Sequence, residues 1–147
     1  MKALTIHQPY AELIARGEKR VENRSWRTHY RGPLAIHAGL RAAFGYRLSA
    51  VGQAESRELT ADSLPRGAIV AVCEVVACLS LEVIRESMFL PLDFEWVVDH
   101  PHTTGPWCWI LENVRRLKKP IPITGTQGLW DVPEDIARKL KRVTPRT

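Results

Sequence analysis

A chain of 147 residues, 45% of them hydrophobic, has the usual size of one domain and can bury a sizeable core. Its net charge of +5 suits an anionic partner such as nucleic acid, with plain solubility as the alternative. The longest apolar run, residues 68–77 broken by Glu74, falls far short of the roughly 18–20 residues of a membrane span.

Residues 3–6 read as a short strand. His7-Gln8-Pro9 then turns into a helix over 9–16, with Pro near its first position and Gly17 just past its end. Tyr10, Leu13 and Ile14 give that helix one buried stripe. The ribbon from Arg16 to Arg31 follows, holding Arg16, Lys19, Arg20, Arg24, Arg27 and Arg31 against Glu18 and Glu22. Strand alternation over 19–24 puts Lys19, Val21 and Asn23 on one face and Arg20, Glu22 and Arg24 on the other. Unpaired charge is costly to bury, so a strand charged on both faces is expected to line a groove or rim a barrel.

Gly32-Pro33 marks a turn, and 34–37 is a short apolar strand ending in His37. Leu40, Ala43, Phe44, Leu48 and Val51 recur at helical spacing, which predicts a surface helix over 40–51. Residues 52–67 read as a connection and 68–79 as the strongest strand. There Val70, Val72 and Val76 share a face that Glu74 interrupts. A short helix over 81–88 and a loop over 89–104 precede a strand over 107–114, in which Trp107 and Trp109 share a core face. The chain closes with the turn Gly125-Thr126-Gln127-Gly128-Leu129-Trp130 and a helix over 133–142. Five or six short strands with helices between and after them predict an α+β fold, a small and mostly antiparallel β-barrel with flanking helices.

Cys73, Cys78 and Cys108 lack CxxC spacing, so neither a disulfide framework nor a metal site follows. They read as reduced thiols of a cytoplasmic protein, and the N-terminus carries no signal-peptide pattern. Neither GxGxxG nor a P-loop appears, and no cofactor is expected. His100 and His102 beside Asp99 have no specific metal spacing. Two basic clusters, Arg115 to Lys119 and Arg138 to Arg142, fit either phosphate contact or a solvated surface.

Three stretches carry a likeness: His7-Gln8-Pro9-Tyr10-Ala11, the run GEKRVENRSW from Gly17 to Trp26, and YRGPLAIHA from Tyr30 to Ala38. Together they resemble the ASCH domain family. Trp109 to Val114 and Gln127 to Trp130 look like that family's last strands. The likeness implies one domain over 1–147 with insertions near 40–66 and 82–104. It implies a fold of the PUA superfamily, a compact barrel with a cleft beside the first helix, and an RNA-related role. Some small relatives in the family hydrolyse N4-acetylcytidine through a lysine, a threonine three residues later and a distant glutamate; others are described as ribonucleases. Lys19 and Arg24 match that stretch, while Glu22 occupies the threonine position.

Three readings stay open. In the first, the domain binds RNA, another single-stranded nucleic acid or a modified nucleoside through Gln8, Tyr10, Lys19, Asn23, Arg24, Trp26, Arg27 and His37. Cations would hold phosphate, and the aromatics interleaved with them would stack bases. In the second, a hydrolase uses Lys19 as base with Glu22 or Glu74 as partner. In the third, an interaction domain carries its basic clusters for solubility alone.

Overall fold

The computed structural model describes residues 1–42, 47–48, 59–60, 63–86 and 90–143. In chain order they form β1 (Lys2–Gln8), α1 (Tyr10–Ala15), β2 (Val21–Arg24), β3 (Gly32–Ala42), β4 (Arg47–Leu48), β5 (Leu59–Thr60) and β6 (Ala68–Ser80). Then come α2 (Leu81–Glu86), a 3-10 helix (Leu92–Val97), β7 (Trp107–Pro122), β8 (Leu129–Asp131) and α3 (Glu134–Lys141).

Six strands make one sheet in the order β2-β7-β6-β3-β1-β8, and β4 pairs with β5 alone. The sheet is mixed, because β1 runs parallel to β3 while its other ladders are antiparallel. The expected barrel is therefore corrected to an open sheet with flanking helices; it is mostly antiparallel as expected, with the one parallel pair making it mixed. Closure fails for a local reason. The three residues of β8 pair only with Lys2, Ala3 and Leu4, so β1 runs on past β8 with β3 on its other side, and no ladder joins it to β2.

Alternation along the strands builds a core on each face of the sheet. Leu4, Leu34, Ile36, Trp109 and Leu111 pack with Ala11, Ile14 and Ala15 of α1. Ala3, Ala35, Ile69, Val72 and Leu117 point the opposite way, onto Ala137 and Leu140 of α3. Val21, Cys108 and Ile110 meet Ile84 of α2 and Val97 of the 3-10 helix. The three cysteines are free and buried.

Irregular backbone explains several departures from expectation. Register shifts in β6 at Ile69/Ala71, Val72/Glu74 and Val75/Ala77 interrupt simple alternation. Val70 and Val72 consequently face different cores. The helix expected over 40–51 is overturned where it is described: β3 continues to Ala42, and Arg47–Leu48 is strand. Leu40 is 76% exposed, so the helical spacing there does not mark a buried stripe. Residues 43–46, 49–58 and 61–62, which carry the rest of that prediction and much of the 52–67 connection, lie outside the described residues. The stretch read as a loop over 89–104 contains the 3-10 helix instead.

Candidate functional site

The turn after α1 decides what becomes of the charged ribbon. Gly17 adopts φ 78°, the left-handed conformation that ends helices readily because glycine has no Cβ to clash. Leu13 O then accepts from both Glu18 N (3.0 Å) and Lys19 N (3.1 Å). This folds the chain back under the helix end, and Lys19 is only 3% exposed. Its Nζ donates to Val21 O and lies 3.7 Å from Glu22 Oε2. Burial pulls the ammonium below its usual 10.5, with Glu22 opposing and Arg24 adding to the shift. Glu22 is 7% exposed, and its Oε1 lies 4.0 Å from Arg24 Nε. The expectation that the whole strand faces a groove is thus corrected, because its first charges neutralise one another inside the fold.

Asn23 is also committed to structure. Its Oδ1 accepts from Thr104 N (3.0 Å) and Gly105 N (2.8 Å), and its Nδ2 donates to His102 O (2.6 Å). Beside it, His100 Nε2 accepts from Arg20 N at 3.1 Å. Desolvation, then His102, Arg20 and Lys19, hold the His100 imidazolium down to about 4. Loop 100–105 is therefore stitched to the outer edge of β2. Gln8 is fully buried, donating from Nε2 to Pro65 O (2.8 Å) and accepting from Glu12 N (3.0 Å). Tyr10 packs against Leu13 and Leu64. Glu74 accepts from Asn113 Nδ2 at 3.0 Å, and no ion pair joins it to Lys19 among the described residues.

Beyond Asn23 the ribbon opens. A cleft of about 1140 Å³ lies where β1, β3, the end of β2 and the segment from Pro122 to Gly128 meet. Arg24 and Trp26 are on its wall. Arg24 Nη2 donates to Thr5 O at 2.8 Å, spanning the gap that no ladder closes. Trp26 is 37% exposed and is braced edge-on by buried Trp109, with ring centroids 4.8 Å apart.

His37, Thr5 and Trp130 fix the floor. His37 Nε2 is 2.7 Å from Ile123 O, so that nitrogen carries the proton in the neutral ring and Nδ1, 3.1 Å from Thr5 Oγ1, is left to accept. Trp130 Nε1 donates to Thr5 Oγ1 at 3.2 Å. A Cβ on Gly125 would stand 2.5 Å from Thr5 Oγ1 and 2.7 Å from the His37 ring, so only glycine lets the 122–128 segment pass so close.

Of the residues named from sequence, the cleft wall includes Arg24, Trp26 and His37; it does not include Gln8, Tyr10, Lys19, Asn23 or Arg27. It adds Thr5, His7, Arg41 and Gln127, which sequence reasoning missed because they come from three distant segments. The Gly125-x-x-Gly128 spacing after Pro122 was the one local signal for that wall. Arg24 and Arg41 are its cations, and no carboxylate lines it among the described residues. No group of three or more His, Cys, Asp or Glu side chains able to hold a metal occurs among the described residues, and none of their helices is long and apolar enough to cross a membrane.

Comparison with known proteins fits this architecture. The chain is 30% identical over 145 residues to human activating signal cointegrator 1 and 29% identical to the mouse protein, each match covering 95% of this chain. It spans 23% of the length of these relatives. The crystal structure of ASCH from Zymomonas mobilis superposes with a TM-score of 0.56 at 14% identity, covering 99% of this chain and 96% of that one. A mutant of the same protein gives 0.56 with 98% of each chain covered; at that identity the likeness speaks for the fold. The ASCH domain model matches residues 4–121, and the chain belongs to the ASCH domain family.

Proposed function

We propose that this ASCH domain is a nucleic-acid-binding module that takes single-stranded RNA or a modified nucleoside in the cleft beside β1. The supporting observation is the composition of the wall: two arginines, a half-open tryptophan and no carboxylate among the described residues. Guanidinium groups fork onto phosphate oxygens, and an exposed indole face stacks a base. Family membership supports a nucleic-acid-related role in general; the cleft supplies the particular reading. The hydrolase alternative draws less support, since Lys19 Nζ is held by Val21 O and Glu22 and neither Lys19 nor Glu74 belongs to the lining.

Filter binding of single-stranded RNA across a salt series tests the reading. Affinity should fall with salt, and Arg24→Ala should lower the log–log slope by about 0.7, the share of one phosphate on a single strand. Trp26→Ala should weaken binding about 5- to 150-fold, the range for one stacked base. Affinity indifferent to salt and to both substitutions would leave an interaction domain without nucleic-acid binding. Turnover of N4-acetylcytidine or of RNA by the native chain would favour the hydrolase.

A further inference from the structure

Trp107 was expected in the core with Trp109, and it packs against that same core while keeping part of its ring outside it. Trp109 is fully buried, whereas Trp107 is only partly so and the exposed Arg27 lies over its ring at 5.6 Å. Trp107 is also the cross-strand partner of Arg24, so their side chains leave the same face of the β2–β7 ladder as neighbours. Arg24 shares the cleft wall with Trp26. One guanidinium thus has an available indole on its neighbouring strand and another along its own chain.

We propose that the cleft continues into a second stacking platform, Trp107 beneath Arg27, so that the ligand is a single strand of at least two nucleotides rather than a free nucleoside. This rests on the nucleic-acid reading above. Arg24, adjoining one platform across the ladder and the other along the cleft wall, suits the phosphate that joins two bases.

A second Arg–Trp pair in the molecule shows why the spacing matters. Arg20 Cζ lies 3.8 Å from the Trp96 ring centroid, close to van der Waals contact, and Nη2 of the same guanidinium is 3.9 Å from Glu112 Oε1. That pair is shut. At 5.6 Å from Cζ to the ring centroid the Arg27–Trp107 pair is within cation–π range and is the looser of the two. A base sandwiched between them needs about 7 Å, twice the roughly 3.5 Å of aromatic contact. Admitting a base takes an outward movement of Arg27, within reach of a rotamer change for a long exposed side chain.

Calorimetric titration with 5′-phosphorylated adenosine mono-, di- and hexanucleotides tests the proposal. The dinucleotide should bind the native chain at least about fivefold more tightly than the mononucleotide, because one further stacked base is worth about 1–3 kcal/mol. In Arg27→Ala, a surface change with little to disturb the fold, and in Trp107→Leu, that ratio should fall toward one. A mononucleotide that binds as well as the dinucleotide overturns this inference and leaves the nucleic-acid reading standing. An unchanged ratio in both variants overturns it equally. If none of the three ligands binds, the reading beneath it fails as well.

Discussion

The two halves of the ribbon after α1 carry similar side chains and end up in opposite environments. Lys19, Glu22 and Asn23 are consumed by the fold: an ammonium on a carboxylate, and an amide pinning three backbone groups of loop 102–105. Arg24 and Trp26 stand on a cleft wall, and Arg27 is exposed above Trp107. The difference lies in what covers them. β2 is an edge strand, and such edges are left open or capped. The 100–105 loop caps it along Arg20 to Asn23, and the cleft opens past that point. Charge density alone therefore did not separate wall from mouth.

The sharpest way to break this comparison is at Lys19. If the first half is structural, Lys19→Met should lower unfolding free energy in urea by about 3–5 kcal/mol, the cost of stranding a buried partner charge. Lys19→Met combined with Glu22→Leu should recover much of it. A Lys19→Met chain of native stability would put that amine on the functional side instead.

Asn23→Ala should cost less, about 1–3 kcal/mol for the backbone groups it leaves unmet. Faster amide hydrogen exchange should appear at Thr104 and Gly105, whose N–H groups it now binds. Unchanged exchange there would mean that the loop does not depend on the amide.

The smallest effect belongs to His100, whose folded value of about 4 lies below the ordinary 6.5. Between those values the unfolded chain binds more protons. Its contribution is thus fully present above pH 6.5 and is lost as pH falls toward 4. Replacing His100 with Gln should flatten the stability profile across that window, leaving the share of His102, which burial also lowers. A profile just as steep in the variant would remove His100 from the account.

Local signals carried much of the fold and little of the site. The β-branched run in 68–80 and the apolar run from Trp107 announced β6 and β7, and Gly17 announced the end of α1. The parallel pairing of β1 with β3 depends on a crossover through α1 and β2, which hydrophobic periodicity does not encode. Lys19 and Glu22 were expected along a groove or rim because each is charged; their burial follows from meeting one another beneath α1. Arg24 and Trp26 were legible as charge and aromatic side by side. Thr5, His7 and Arg41 were not, since nothing in their own neighbourhoods points to a shared wall.

The brevity of β8 has one further consequence. Gly128, at φ 70°, is where the ladder with β1 ends; continuing the antiparallel register would instead lay Gly128 and Gln127 along Thr5 and Ile6. That glycine acts as the aperture stop of the crevice. Shifting it along the sequence would resize the opening while leaving every arginine and tryptophan untouched, a lever on ligand size independent of electrostatics.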